Sequence, residues 1–382
     1  MRIVGVVFLL IIALWLAGDP LARKIVDSDL NRVERAGGDP DAAASALHDT
    51  LFVADLHSDM LLWDRDPRRA QSVGQTDMVK LRDGGVELQV FSTVTATPRG
   101  QNFGSNTLEG GDNITLLGLV QGWPAATWVS IRARAVHQAE KLHALERQGH
   151  LTIVRTGRDL DTPGLKGLLL TEGAHPLEGE VGNVAHLFDA GYRAMGLQHF
   201  FDNELGGSLH GAAKGGLTPF GREAVAEMER LGMIIDLAHS SEAVVDDVLD
   251  MATRPVIVSH TGLRAACPRT SNRNMSDARL RRIADGGGLI GIGFFDGAIC
   301  DTTPLGIAET IRVAVDVLGE DAVALGSDFD GAVATTITAA ELSRVTDALL
   351  AAGLEERVIR KVMGENAERF FRQNLPHGSA PR

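Results

Sequence analysis

Histidines and carboxylates recur in this chain at the ends of short apolar runs. His57 and Asp59 follow Leu51–Leu56, Glu172 follows Gly167–Thr171, and His199 follows Arg193–Gln198. Asp236 and His239 mark the end of Met233–Ala238, Ser259-His260 the end of Pro255–Ser259, and Ser327-Asp328-Phe329-Asp330 the end of Ala322–Gly326. Two residues apart on an extended segment, His57 and Asp59 project to the same side. An imidazole directly after a buried run is poorly satisfied by itself. One such histidine is most often a hydrogen-bonded structural residue, but polar ends on six of eight runs point to a shared site. Three imidazoles (His57, His239, His260) with two carboxylates (Asp59, Glu172) suit one or two Zn²⁺ ions, a carboxylate bridging the pair. Two such ions ~3.5–4 Å apart lower the pKa of a shared water and polarise a carbonyl, which is the chemistry of amide hydrolysis.

For these distant segments to meet, the runs must lie side by side. The six runs above, with Val86–Val94 and Gly288–Phe294, alternate with amphipathic helical stretches. Thr218-Pro219 places a capping hydroxyl before a proline at the first helical position. Ser276 is expected to cap the helical stretch 277–284, and Thr338 with Glu341 has capping-box spacing before a helix to about Leu350. Eightfold strand–helix alternation predicts an α/β fold, parallel strands closed into a (β/α)₈ TIM-like barrel. Functional residues of such a barrel gather at the C-terminal ends of the strands. An open doubly wound sheet is the alternative, but no G-x-G-x-x-G segment opens a helix after the first run. The longest insertion, about 95–129, is rich in Gly, Asn and Thr and reads as a lid or as part of the substrate pocket.

The chain has 382 residues, of which 44% are hydrophobic and 23% charged, as in ordinary globular proteins. Its length allows two average domains or one large barrel. A net charge of −13 argues against nucleic acid as a partner. Cys267 and Cys300 are the only cysteines, too few for a disulfide framework. They are not placed to ligate a metal, and whether they pair is left open. Ile3–Ala17 is an uncharged stretch of 15 residues behind Arg2. A span needs ~20 apolar residues, so residues 1–19 are expected to be a signal peptide or an N-terminal membrane anchor of an exported protein. A buried N-terminal helix is the alternative. Residues 20–50 read as a polar, helix-prone extension, 51–373 as the barrel and 374–382 as a polar tail. That tail lacks the hydrophobic stretch a glycolipid anchor requires. His48, His137, His143, His150, His186 and His377 read as surface or helix residues. His175 and His210 lie near the candidate site in sequence and stay unassigned.

The ordered set of motifs resembles the renal (membrane) dipeptidase family of zinc-dependent peptidases. The matching stretches are Asp55-Leu56-His57-Ser58-Asp59, Thr171-Glu172-Gly173, Gly196-Leu197-Gln198-His199, Ile235-Asp236-Leu237-Ala238-His239, Pro255 to His260, Asn272-Arg273-Asn274-Met275-Ser276-Asp277, and Gly326-Ser327-Asp328-Phe329-Asp330-Gly331. Gly364 to Phe370 is similar to that family's closing helix. No single stretch is specific; their order over about 50–372 is.

The resemblance implies a metal-dependent hydrolase barrel with two zinc ions. His57 and Asp59 would bind the first, Glu172 would bridge both, and His239 and His260 would hold the second. His199 would contact the substrate at the scissile carbonyl. Asp328 would carry the proton from water to the leaving amine. Arg273 would bind the dipeptide's free carboxylate, a task that suits its planar fork. Residue types alone would leave Arg273 as a solvated loop arginine. The family further implies tolerance of a D-residue at the second position, and homodimers are common among related enzymes. Leu56 and Ser58 replace the Gly and Asn frequent in the first motif. The run from His199 through Phe200, Phe201, Asp202, Asn203 and Glu204 differs from the animal enzymes and points to a bacterial branch. These departures leave the preferred dipeptide open. Two competing readings are another binuclear amidohydrolase acting on a cyclic amide or ester, and a catalytically silent binding protein. The second would usually have lost a ligand or Asp328, and here all are present.

Overall fold

Each of the eight apolar runs forms a parallel strand in the computed structural model, which describes residues 20–376 except Ser271. The expected leader, residues 1–19, lies outside the described residues, as does His377. The strands are β1 (Val53–Ser58), β2 (Val86–Val94), β3 (Thr152–Ile153), β4 (Lys166–Glu172), β5 (Tyr192–Gly196), β6 (Ile234–Asp236), β7 (Ile257–Thr261), β8 (Leu289–Ile292) and β9 (Val323–Leu325). β1 pairs with β2 and β9, and β2 pairs with β4, so eight strands close into a ring. The two-residue β3, too short to show as an apolar run, lies beside the start of β4. Nearly every strand residue is buried. Parallel strands covered on both faces read as continuous rather than alternating apolar runs.

Alternate residues along a strand fall into different apolar clusters, as a barrel wall requires. Leu168, Leu170, Ile234, Ile257, Leu289 and Ala324 belong to one cluster with Phe370, Phe371 and Leu375. Leu169, Tyr192, Ile235, Val258, Ile290 and Val323 pack in the other, against the helices. The base of the barrel is stoppered by the closing helix Asn366–Asn374. Asn366 Nδ2 donates to the carbonyls of Glu320 (2.7 Å) and Val323 (2.8 Å) below β9. Gly364 abuts the Phe52 carbonyl below β1, where a Cβ would collide.

The helix signals are realised with two local differences. Thr218 accepts from Gly221 N–H, and Pro219 opens the helix Pro219–Leu231. The Thr338–Glu341 capping box forms over a short turn, Ala339–Glu341, and the α-helix proper is Ser343–Ala351. Ser276 precedes Asp277–Asp285 without capping it by its side chain; its hydroxyl instead accepts from Arg279 Nη1 at 3.1 Å. The insertion folds into Leu108–Gly110, Asn113–Val120 and Ala126–Val129. Buried Arg134, from the helix Ile131–Arg147, secures it through Asp112 Oδ2 (2.5 Å) and the Thr95 carbonyl (2.7 Å). The N-terminal extension contains helices Pro20–Leu30 and Ala42–His48. Cys267 and Cys300 form a disulfide, with Cα atoms 5.3 Å apart, that joins the loop after β7 to the loop after β8. No helix among the described residues is long and apolar enough to cross a membrane.

Candidate metal centre and active site

At the C-terminal mouth of the barrel four imidazoles surround one carboxylate oxygen. Glu172 Oε1 lies 3.2 Å from His239 Nε2, 3.4 Å from His199 Nε2, 3.4 Å from His260 Nε2 and 3.7 Å from His57 Nε2. His57 Nε2 is also 3.6 Å from Asp59 Oδ1 and 3.9 Å from Asp328 Oδ1. His239 Nε2 and His260 Nε2 stand 2.9 Å apart. All five expected ligands therefore meet, with His199 and Asp328 among them, and all seven are buried. Three sets of ligand atoms lie within 4.8 Å of one another: His57, Glu172 and His260; Glu172, His199 and His239; His57, Asp59 and Asp328. This grouping divides the residues differently from the family pattern, setting His57 with His260 and His199 with His239. The donor set fits a divalent, zinc-like cation, imidazole nitrogen with carboxylate oxygen. The buried atoms His57 Nε2 and Asp59 Oδ1 have no hydrogen-bond partner among the described residues, and such groups require one.

One hydroxyl orients two of the imidazoles. Ser259 Oγ donates to Asp236 Oδ2 at 2.6 Å and stands 3.1 Å from His57 Nδ1 and 3.0 Å from His260 Nδ1. A hydroxyl has one hydrogen and two lone pairs. With its hydrogen given to Asp236, Ser259 accepts from both Nδ1–H groups and turns each Nε2 toward the cluster: a lone pair on His260, and on His57 a position where a bound cation would replace the proton, the outer-shell support typical of metal-bound histidine. Asp236 is held by the Ser259 and Ala238 amides at 2.9 and 3.0 Å. Asp55 accepts from Ser327 N–H (2.8 Å) and Oγ–H (2.7 Å), tying β1 to the Asp328 loop. Asp236 and Ser259 were visible in sequence only as strand-end polar residues; nothing in the pattern marked them as supports. Gly291 and Gly326 both press on the Ser259 carbonyl, where a Cβ would collide. His239, Asp328 and Asp330 adopt left-handed backbone, φ 62°, 63° and 65°, which non-glycine residues keep only where surroundings hold them.

Charge is unevenly distributed across the cluster. Burial, helped by Asp59, holds the Glu172 carboxyl well above the usual carboxylate range. Burial pushes Asp328 up to about 7; His57 works against this shift and Asp59 adds to it. Burial also depresses His239, His260 and His199 well below the ordinary imidazole value, reinforced by Arg273, His57 and His175 respectively. His57 is the exception: burial opposes its charge, but Asp59, Glu172 and Asp328 raise it to about 10. Crowded carboxylates beside neutral imidazoles are an environment that a cation relieves.

Arg273 is buried beside the cluster, with Cζ 5.3 Å from the Phe295 ring and Nη2 lacking a hydrogen-bond partner among the described residues. The insertion reaches the same mouth. Phe103 stacks on Phe200 at 5.9 Å, and Asn106 Nδ2 donates to the His210 carbonyl at 2.8 Å. Phe200 in turn touches the rings of His199 (4.8 Å) and His239 (5.3 Å). The insertion thus forms a wall bordering the site. His210 packs on His239 at 5.1 Å, and His175 stacks on Phe201 at 4.6 Å. His48 ends its helix buried, between Thr346 Oγ1 (2.8 Å) and the Gly84 carbonyl (3.1 Å), partners outside the histidine cluster. His150 and His186 are exposed.

The model of the family described as membrane dipeptidase (Peptidase family M19) matches residues 41–378. The chain is 33% identical over 210 residues to an uncharacterized protein in the pqqA 5′ region of Klebsiella pneumoniae, covering 51% of this chain and 77% of that one. It is 28% identical over 339 residues to dipeptidase tcpJ of Claviceps purpurea (strain 20.1), covering 85% and 75% respectively. Among solved structures it resembles a metallo peptidase from Rhodobacter sphaeroides liganded with a phosphinate mimic of the dipeptide L-Ala-D-Ala. The TM-score is 0.67 at 24% identity, covering 86% of this chain and all of that one (100%).

Proposed function

The chain belongs to the membrane dipeptidase family (Peptidase family M19), and from that premise we propose that it hydrolyses dipeptides, including those with a D-residue at the C-terminal position, with two zinc ions per chain. The observation that carries this reading is the convergence of four imidazoles on Glu172 Oε1. His57 and Asp59 are assigned to one ion, His239 and His260 to the other, and Glu172 to both. When bound, zinc supplies a Lewis acid and a nucleophilic water active at neutral pH.

The remaining work falls to the chain. Arg273 binds the free carboxylate through a guanidinium that burial has already stripped of water. A site that grips this terminus selects short substrates over proteins. Asp328, poised to titrate at about 7, takes the proton from attacking water at its carboxylate. It returns that proton to the amide nitrogen as the C–N bond breaks, the balance expected of a general acid–base group working near its own pKa. His199 is assigned to contact with the substrate carbonyl. Its Nδ1 lies 3.4 Å from the Ala96 carbonyl. A hydrogen bond there places the hydrogen on Nδ1, so donation from Nε2 to an oxyanion needs a second proton, against the burial that keeps the free ring neutral, and that proton has to be stabilised by the developing negative charge itself.

The test is hydrolysis of Ala-D-Ala and Gly-D-Xaa dipeptides with and without chelator, alongside metal analysis of the purified protein. Chelation should abolish hydrolysis, and two equivalents per chain are expected. Activity that ignores chelation overturns the reading, and zero or one equivalent overturns its two-metal form. We also infer export from the uncharged stretch Ile3–Ala17 and the Cys267–Cys300 disulfide, since such bridges persist in oxidising compartments. Cell fractionation that leaves the protein with cytoplasmic markers overturns that inference.

A further inference from the structure

Residues 20–40 precede the part of the chain that the family model covers, 41–378, yet they grip the loop carrying Asp328. Asp27 Oδ2 pairs with Arg65 Nε at 3.0 Å, and Arg65 Nη2 pairs with Asp330 Oδ2 at 2.6 Å. All three side chains are at least nine-tenths buried. Asn31 joins the same path: its Nδ2 donates to Asp27 Oδ1 at 2.8 Å and its Oδ1 accepts from Ala332 N–H at 3.0 Å. Beyond it, Thr335 N–H donates to the Arg32 carbonyl (3.0 Å) and Glu34 N–H to the Thr335 carbonyl (2.7 Å).

The loop so held is one that needs holding. Asp328, Asp330 and Ala332 all have left-handed backbone, φ 63°, 65° and 57°, which persists only where neighbours over-determine it. Within the barrel, Gln75 supplies two further bonds to Asp330, N–H to Oδ1 and Oε1 from the Asp330 amide, both 2.6 Å. Open space lies between the extension and the barrel. Cavities of about 530 and 410 Å³ border it, neither of them lined by the histidine cluster. Val26 and Leu30 are each 42% exposed. The polar anchors of its described side chains end on the loop of Asp328.

We propose that residues 20–36 form a strap that positions the Asp328 loop, with Asp27 and Asn31 as positioning residues acting through Arg65 and Ala332, so that turnover depends on a segment outside the family's shared barrel. The inference rests on the role given above to Asp328. A small displacement of a proton-carrying group lowers the rate of the step it serves without changing how substrate or metal is held.

The experiment uses the full chain loaded with zinc and Ala-D-Ala as substrate. Asp27→Asn and Asn31→Ala are each expected to lower kcat about tenfold, with KM and metal content unchanged. Asp27→Glu, which keeps the charge facing Arg65, should recover part of the loss. Leu30→Ser, on the same helix but off the anchor path, should leave kcat unchanged. In an Asp328→Asn background the strap variants should add no further fall. Unchanged kcat in Asp27→Asn, a lower melting temperature with unchanged kcat, or an additional fall in the Asp328→Asn background would each overturn the strap. Should Asp328→Asn alone retain full kcat, the role of Asp328 itself fails, a result distinct from any of these.

Discussion

The lower and upper halves of the barrel interior are built from the same strands and solve opposite problems. On β4 the same face carries Leu168, then Leu170, then Glu172; on β6 Ile234 is followed by Asp236, and on β7 Ile257 by Ser259. A step of two residues, about 6.6 Å along a strand, thus passes from hydrocarbon to a charged cluster. Below, Phe370, Phe371 and Leu375 fill the space between aliphatic side chains, and burial there favours folding. Above, carboxylates and imidazoles are buried equally deeply, and without a cation their mutual placement opposes folding. One half of the cylinder carries stability and the other is held in shape by it.

The largest expected effect breaks that division from above. Glu172→Gln should lower dipeptide hydrolysis by about 10³-fold or more, since it removes the carboxylate shared by the four imidazoles. Stability should move the other way. Glu172 has a folded pKa raised above its unfolded value, so its contribution is present below the unfolded pKa and is lost as pH rises through the folded one. At pH 7 the metal-free variant should therefore melt higher than the metal-free parent; a lower melting temperature would contradict the comparison. From below, Phe371→Ala should cost about 3–5 kcal/mol of stability by leaving a cavity. Its kcat per folded molecule should stay at the parent value, and a fall in kcat at full folding would show that the halves are not separable.

A third variant sharpens the upper half alone. Arg273→Ala should lower kcat/KM for dipeptides by about 10²-fold, near 2.7 kcal/mol, while metal content is unchanged. Lys at the same position should restore only part of this, because a point charge cannot grip a carboxylate bidentately. Equal activity of Arg273→Ala on dipeptides would point to a substrate without a free carboxylate. The smallest effect concerns pH. Burial depresses His175 to about 4. Its folded pKa lies below the unfolded value, so the stability it carries is present above about 6.5 and is lost as pH falls towards 4. His175→Phe should therefore reduce the loss of stability between pH 7 and 5 by about 2 kcal/mol, as read from denaturant midpoints at each pH. An unchanged pH dependence would mean that His175 does not titrate differently on folding.

The eight barrel strands were legible because burial on both faces leaves most of them as largely apolar runs, and on six of them the polar residue that ends the run is conspicuous. His57, Asp59, Glu172, His199, His239, His260 and Asp328 were found for that reason. Arg273 has no such marker, since it lies on a loop where arginines are ordinary; only the resemblance singled it out. Ser259 and Asp236 escaped notice as supports because a serine bridging two imidazoles is a fact of three-dimensional distance. The same holds for Asp27 with Arg65, common types at an unremarkable spacing; Cys267 and Cys300, the only two cysteines, could pair only with each other, but whether they come within reach is again a matter of distance. The wall formed by Phe103 depends on where a long insertion comes to rest, and composition announces only that it is a loop.

The closing helix at the base of the barrel has a consequence for traffic. A vessel corked at the bottom has one doorway, so both amino acids must depart by the route their parent entered. A new molecule cannot push the old ones out through a far side, and a long polypeptide finds no exit through which its remainder could trail.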